Sequence, residues 1–264
     1  MRKNYGLPYQ GSKNQIAEDI IDFLPSGNRL VDLFGGGGSI SHCASLSNKW
    51  KSSLYNEVNP LIAKGFEMAI NGEFDNENRW ITKEEFHRLK KTDPYVAICF
   101  SFSNNYKDYA LSDERGDIVK KIFELRLAGK DVSVLNIDDT RCEPWERISR
   151  IRLLKGLKNI EITNGSYSDY EYREGDIVYC DPPYENYRCD GYKGFDSHKF
   201  YDWVASRPYQ VFFSSYDISD TRFPVVWQKE KRALTSVERY VRTEYIYSNR
   251  PLEKKKYFVF GMKK

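Results

Sequence analysis

No apolar run approaches the roughly 18–20 residues that a membrane-spanning helix needs, so none is expected in this chain of 264 residues. Histidine is scarce, with three in all, and the five cysteines (43, 99, 142, 180 and 189) form no C-x-x-C pair. That spacing argues against a zinc site or a disulfide framework; no metal is expected, and the cysteines are read as reduced thiols of a cytoplasmic protein. The first residues, MRKNYGLPYQGSKNQ, carry no apolar core, so no secretion leader is expected. No Gly-Lys-Ser/Thr tripeptide occurs, which removes a phosphate-binding P-loop. A net charge of +3 permits a nucleic-acid partner without arguing for one. No internal repeat or low-complexity segment appears, and nothing points to an obligate protein partner.

What is present is globular composition: 40% hydrophobic, 30% charged, and unusually rich in tyrosine (20) and phenylalanine (15). Ser12 and Gln15 have capping-box spacing ahead of a helix carrying Ile16, Ile20, Phe23 and Leu24, which Pro25 ends. Strand-like runs follow at 29–34 and 52–57, with a glycine turn and helix after the first and a helix to about Ile70 after the second. From Asn71 the rhythm turns helical. Thr82 and Glu85 predict a capped helix, 116–130 an amphipathic helix closed by Gly129, and 143–158 a helix with Ile148, Ile151, Leu154 and Leu157 on one face. Arg147, Arg150, Lys155 and Lys158 lie mostly on the other face, as a solvated surface or a source of phosphate contacts. Strand rhythm returns at 159–164, 176–181, 210–215, 223–228 and 256–262. This pattern predicts an α/β sheet domain (residues 1–71 plus 159–264) interrupted by a mostly helical insertion, 72–158.

The segment VDLFGGGGSI puts glycines between a strand and a helix, where backbone amides can approach a ligand closely. A dinucleotide fingerprint would need a third glycine, but Ile40 and Ser41 stand where it would fall. Two acids flank the loop instead, Asp32 at the end of the first strand and Glu57 at the end of the next. Neutral amides beside carboxylates suit a ligand with ribose hydroxyls and a positive charge but no phosphate. S-adenosylmethionine is such a ligand, with its ammonium against Asp32 and its ribose against Glu57. A tight turn with no ligand explains the glycines alone equally well.

DIVYCDPPY (176–184) ends an apolar strand on a carboxylate, two prolines and an aromatic ring. Proline cannot donate to the ladder, so Pro182 and Pro183 stop the strand and stiffen the corner. Asp181 and Tyr184 then project from a strand's carboxyl end, where open α/β sheets bind ligands.

Taken in order, PYQGSK (8–13), VDLFGGGGS (31–39), NEVNP (56–60) and DPPY (181–184) resemble the Dam-like, D12-class DNA adenine-N6 methyltransferases. The resemblance implies a Rossmann-like, S-adenosylmethionine-dependent methyltransferase fold with an inserted target-recognition region. It implies that Tyr9 and Lys13 help hold the cofactor, that Asp32, Phe34, Gly35 and Gly36 wrap its methionine part, and that Ser166 and Tyr167 lie beside its adenine. Glu57 stands where the family usually has aspartate. The resemblance further implies that Asp181 and the Pro182 carbonyl accept hydrogen bonds from the target N6 amino group, with Pro183 fixing the corner and Tyr184 stacking on a base flipped out of duplex DNA. Asp181 also borders the cofactor. The segments 212–217 and 243–250 resemble positions lining the base pocket and the DNA side.

For DNA contact, the mixed segment 99–116 reads as a loop or hairpin over buried Phe100 and Phe102. Asn104 and Asn105 are placed to read adenine, Arg115 guanine, and Lys107 a phosphate; the C-terminal lysines are further phosphate candidates. An N4-cytosine DNA or RNA adenine methyltransferase on the same fold is the nearest alternative. A catalytically silent DNA-binding relative is another, and intact Asp181 and Tyr184 speak against it.

Overall fold

A computed structural model of the chain describes residues 4–185, 194–234 and 239–252. Cys189 and the strand expected at 256–262, with the C-terminal lysines, lie outside the described residues.

The chain runs α1 (Ala17–Phe23), β1 (Arg29–Asp32), α2 (Ser39–Ser47), β2 (Ser52–Asn56) and α3 (Pro60–Ile70). The insertion supplies α4 (Lys83–Leu89), α5 (Pro94–Phe100), α6 (Asp113–Leu127) and α7 (Glu143–Arg152). Then come β3 (Ile160–Thr163), β4 (Asp176–Cys180), α8 (Ser197–Ala205), β5 (Val211–Ser215), β6 (Val225–Leu234) and β7 (Arg239–Ser248). The seven strands form one sheet in the order β3-β2-β1-β4-β5-β7-β6. The first five are parallel, and β7 inserts antiparallel between β5 and β6. This is the expected Rossmann-like α/β architecture. Its order reverses between β1 and β4, which pair directly with Asp32 opposite Tyr179. The carboxyl ends of these two strands therefore border the crevice where such sheets take ligands.

Burial explains why the elements form where they do. Every residue of β1 is buried, as expected of a strand covered on both faces. The apolar core crosses the insertion boundaries: Leu7, Tyr55 and Phe66 pack in one cluster with Phe74, Phe86, Phe100, Ile148 and Ile151. The Thr82–Glu85 capping box is present on both sides of the cap, and Gly129 follows α6 at φ +64°.

Four expectations need correction. Ser12 does not cap α1: its hydroxyl accepts from Asn14 N–H in a short 3-10 turn, Lys13–Gln15, and Ile16 precedes α1 without a side-chain cap. The turn departs from the α-helix because Lys13 is drawn into the interior, with 4% exposure. Second, α7 ends at Arg152, six residues early, and its arginines are not a solvated face. Arg147 donates to the carbonyls of Cys99 and Ser101, and Arg150 to those of Tyr5 and Gly6. Arg147 thus ties α7 to the end of α5, and Arg150 ties the insertion to the N-terminal segment. Third, Phe102 is 58% exposed while Phe100 is fully buried. Fourth, α5 and β7 were not anticipated. All of α5 is buried, so it shows no amphipathic period, and β7 carries a buried glutamate where a strand pattern would show an apolar residue.

Candidate active site

Asp32 and Asp181 leave neighbouring strands on the same side of the sheet and line one cavity of about 250 Å³. Around them stand Tyr9 and Lys13 from the N-terminal segment, Phe34, Gly35 and Gly36 from the turn after β1, and Pro182, Pro183 and Tyr184. A second cavity, about 450 Å³, is lined by Phe34, Glu57, Ser166 and Tyr167 together with Val58 and Phe195. Phe34 belongs to both. The proposed cofactor residues therefore fall into two adjoining compartments, one holding both aspartates and the glycine loop, the other holding Glu57 with the rings of Phe34, Tyr167 and Phe195.

The glycine turn is shaped by its neighbours. At Gly38 (φ +73°) a Cβ would meet the Phe66 ring at 2.2 Å, so only glycine lets the chain enter α2 there. At Gly36 (φ +50°) the N–H donates to a Glu57 carboxylate oxygen at 2.8 Å and the carbonyl accepts from Tyr55 Oη at 2.7 Å. The other Glu57 oxygen accepts from Asn59 N–H at 2.8 Å. Glu57 is fully buried and braces the loop from beneath while bordering the second cavity. There Phe34 stacks on Tyr167 at 5.1 Å, and Phe195 meets Phe34 edge-on at 5.8 Å. The Ser166 hydroxyl accepts from Ser168 N–H and caps the following turn.

The two aspartates differ sharply in their partners. Asp32 is 1% exposed; one carboxylate oxygen accepts from Ser41 Oγ at 2.9 Å, and the other is buried with no hydrogen-bond partner. Burial, with the nearby Asp181 and Glu57 carboxylates, pushes its pKa up to about 7, against the smaller opposing effect of Ser41. Asp181 instead takes the Lys13 ammonium at 2.6 Å on both oxygens and the Tyr184 hydroxyl at 3.1 Å. Lys13 also lies 3.4 Å from the fully buried Glu244 carboxylate and over the Tyr184 ring. Burial alone would discharge the lysine, but Asp181 and Glu244 outweigh it and hold the ammonium above its ordinary range. Tyr184 donates to Glu244 as well, and burial with these carboxylates holds its phenol protonated. Beyond it, Tyr184 meets Tyr216 edge-on at 4.7 Å, and Arg242 stacks on Tyr216 at the cavity edge.

Lys13 thus sits on the Asp181 carboxylate, although the family resemblance implied a cofactor contact for it. Glu244, Tyr216, Arg242 and Phe195 complete the site and were not singled out by sequence reasoning. For Tyr216 and Glu244 the signal lay in segments 212–217 and 243–250, which resembled the base-pocket side without indicating which side chains turn inward; Arg242 falls just outside them. Of the DNA-contact candidates, Asn105 and Lys107 line a groove near the cavity, and Tyr106 joins the two by donating to the Pro8 carbonyl and packing 5.8 Å from the Tyr9 ring. Asn105 uses its amide within the loop, accepting from Lys107 and Asp108 N–H and donating to Asp108. Asn104 stands in the same loop at φ +57°, with its buried amide oxygen unpartnered. Arg115 is elsewhere, on α6, paired with Asp139 at 3.1 Å.

The model of the D12 class N6 adenine-specific DNA methyltransferase family matches residues 9–204. Solved structures similar to the chain include a candidate methyltransferase, yhhF, of Escherichia coli (10% identical, covering 94% of this chain and 91% of that one, TM-score 0.39). Others are a candidate RNA methyltransferase of Pyrococcus horikoshii (13%, 93% and 90%, 0.41) and a candidate methylase of Haemophilus influenzae (14%, 92% and 91%, 0.34).

Proposed function

This chain belongs to the D12 class N6 adenine-specific DNA methyltransferase family, and from that premise we propose that it methylates the N6 amino group of adenine in duplex DNA, with S-adenosylmethionine as methyl donor. The observation that carries the reading is the buried, unpartnered Asp32 oxygen in the same cavity as Asp181 and Tyr184. An unpaired buried carboxylate oxygen is costly unless a ligand supplies a donor, and a cationic ammonium is the donor that also favours the charged form. Asp181 and Glu244 add negative charge, balanced by Lys13 beside them and by Arg242 at the cavity edge, which leaves Asp32 as the carboxylate open to a cation. The glycine loop brings backbone to the cavity wall without side chains in the way, and the second compartment offers aromatic faces suited to adenine.

When bound, S-adenosylmethionine supplies a methyl group on a sulfonium; everything else falls to the chain. The amino nitrogen of adenine is a poor nucleophile because its lone pair is delocalised into the ring. Asp181 and the Pro182 carbonyl accept hydrogen bonds from its two N–H groups, which favours a tetrahedral nitrogen with its lone pair directed at the methyl. Lys13 and Tyr184 hold the Asp181 carboxylate in place, so the acceptor is preorganised before the base arrives. Tyr184 and Tyr216 provide ring surface for a base drawn out of the stack, offsetting unstacking by about 1–3 kcal/mol per ring. The test is tritiated methyl transfer to duplex DNA followed by digestion to nucleosides. N6-methyladenine is expected. N4-methylcytosine, or transfer to RNA in preference to DNA, would overturn the substrate.

A further inference from the structure

A groove of about 520 Å³ opens beside the active site, between the start of α3, the end of α4 and the 101–109 loop. Four lysines line it: Lys64 on α3, Lys90 and Lys91 after α4, and Lys107 on the loop. No carboxylate is among its lining residues. Lys64, Lys91 and Lys107 are exposed, Lys90 half-buried. Elsewhere many basic side chains have acidic partners: Arg79 with Glu77 and Asp93, Arg222 with Asp202 and Asp220, Lys155 with Asp75. Among the described residues, Lys64, Lys90 and Lys91 form no ion pair with a carboxylate. The wall is held in place: the Lys90 ammonium donates to the Lys107 carbonyl, and Asn59, which caps α3, also lines the groove.

Ammonium groups gathered along one groove with no carboxylate lining it favour an anion from outside. The groove is an open trough rather than a closed pocket, and its wall, Tyr106, touches Tyr9 of the cofactor cavity. We propose that this groove seats the phosphate backbone of the duplex flanking the target base, with the exposed Lys64 and Lys91 as its phosphate contacts and Lys90 holding the loop wall through the Lys107 carbonyl. The inference rests on the DNA reading above and adds a surface outside the reaction cavity. It replaces the basic face of α7, whose arginines are spent on internal carbonyls.

Phosphate contacts have a signature independent of sequence readout: each one adds about one unit to the slope of log affinity against log salt. A labelled duplex is titrated with the full chain over a salt series by fluorescence anisotropy, comparing wild type with Lys64→Gln and with Lys64→Gln/Lys91→Gln. The slope should shrink by about one and about two respectively. Cofactor affinity by calorimetry should stay at the wild-type value, and methylation should show a raised KM for DNA at unchanged kcat. Wild-type slopes in both variants would overturn the groove while leaving DNA as substrate. A wild-type chain with no salt-dependent duplex binding would overturn both, and tighter binding of an RNA duplex would replace DNA as the occupant.

Discussion

The ends of β1 and β4 make an instructive pair. Each delivers an aspartate into the same cavity, from strands that are hydrogen-bonded neighbours. At β1 the carboxylate is almost wholly buried and half-satisfied, with one oxygen left without a donor. At β4 the carboxylate is gripped by an ammonium and a phenol, which in turn lean on Glu244. An under-partnered carboxylate is a socket, since it gains most from an incoming cation. A fully braced one is a fixture that changes little when a ligand arrives and serves to position it. The two ends are chemically alike and differ in what surrounds them, and on the proposed function that difference divides the labour of the site, with β1 binding and β4 orienting.

The division breaks most visibly at Asp181. Asp181→Ala should lower methyl transfer by about 10²–10³-fold, the typical cost of losing one preorganised electrostatic partner, while cofactor affinity changes little. Asp181→Asn keeps the shape but turns one acceptor into a donor facing N–H, and should fall between. Transfer rates and calorimetric cofactor binding measured side by side check this. A large loss of cofactor affinity in Asp181→Ala would erase the distinction between the two strand ends.

The complementary change, Asp32→Ala, should weaken the cofactor by about 10–100-fold, as a charge-assisted hydrogen bond contributes about 1.5–3 kcal/mol. The effect on kcat at saturating cofactor should be small. Asp32 also sets a pH dependence. Its folded pKa is about 7, far above the unfolded carboxylate value. In the free protein, the stability it contributes is therefore present at low pH and lost as pH rises through about 7. A bound ammonium favours the ionised form, so binding releases a proton below that pH. Cofactor affinity should fall by up to about tenfold per unit as pH drops below about 7, and Asp32→Asn should flatten the curve. A wild-type curve flat between pH 5 and 8 would mean that Asp32 does not meet the cation.

Much of this site was legible before folding because its parts are local. Asp32 with its glycines and Asp181 with its prolines are each one strand end and its turn, so chemistry and backbone lie within a few residues. The strands around them announced themselves as apolar runs. What stayed hidden depends on distance. Glu244 reaches Lys13 and Tyr184 only because β7 inserts antiparallel beside β5, and nothing local in TEYIYSNR says which face it turns inward. Arg150 read as part of a solvated helix face and Lys13 as a cofactor contact, yet each is held inside by a group far along the chain, the Gly6 carbonyl and the Asp181 carboxylate. Helix α5 was missed for the opposite reason, since burial on every side erases the period that marks a surface helix.

The smallest effects test how far the bracing of Asp181 extends. Glu244→Gln retains an acceptor for Tyr184 but removes one of the two carboxylates facing Lys13. The ammonium then rests on Asp181 alone, and kcat should drop about tenfold, about 1.4 kcal/mol of transition-state stabilisation, with cofactor affinity held. Tyr184→Phe should cost less, a few-fold in kcat. It keeps the ring that Tyr216 packs against and that the proposed function stacks on the base, and loses only the hydroxyl shared between Asp181 and Glu244. The phenol is held protonated by burial and its acidic neighbours, so it acts as a donor and not as a base. Its removal should leave the shape of the pH–rate profile unchanged. The ring and the hydroxyl separate in the kinetics: Tyr184→Phe acts on kcat, whereas a change confined to the KM for DNA would assign the hydroxyl to capture of the base. A profile that loses its alkaline limb in Tyr184→Phe would show the phenol giving up its proton during turnover, and the brace would then have to be rebuilt on Lys13 alone.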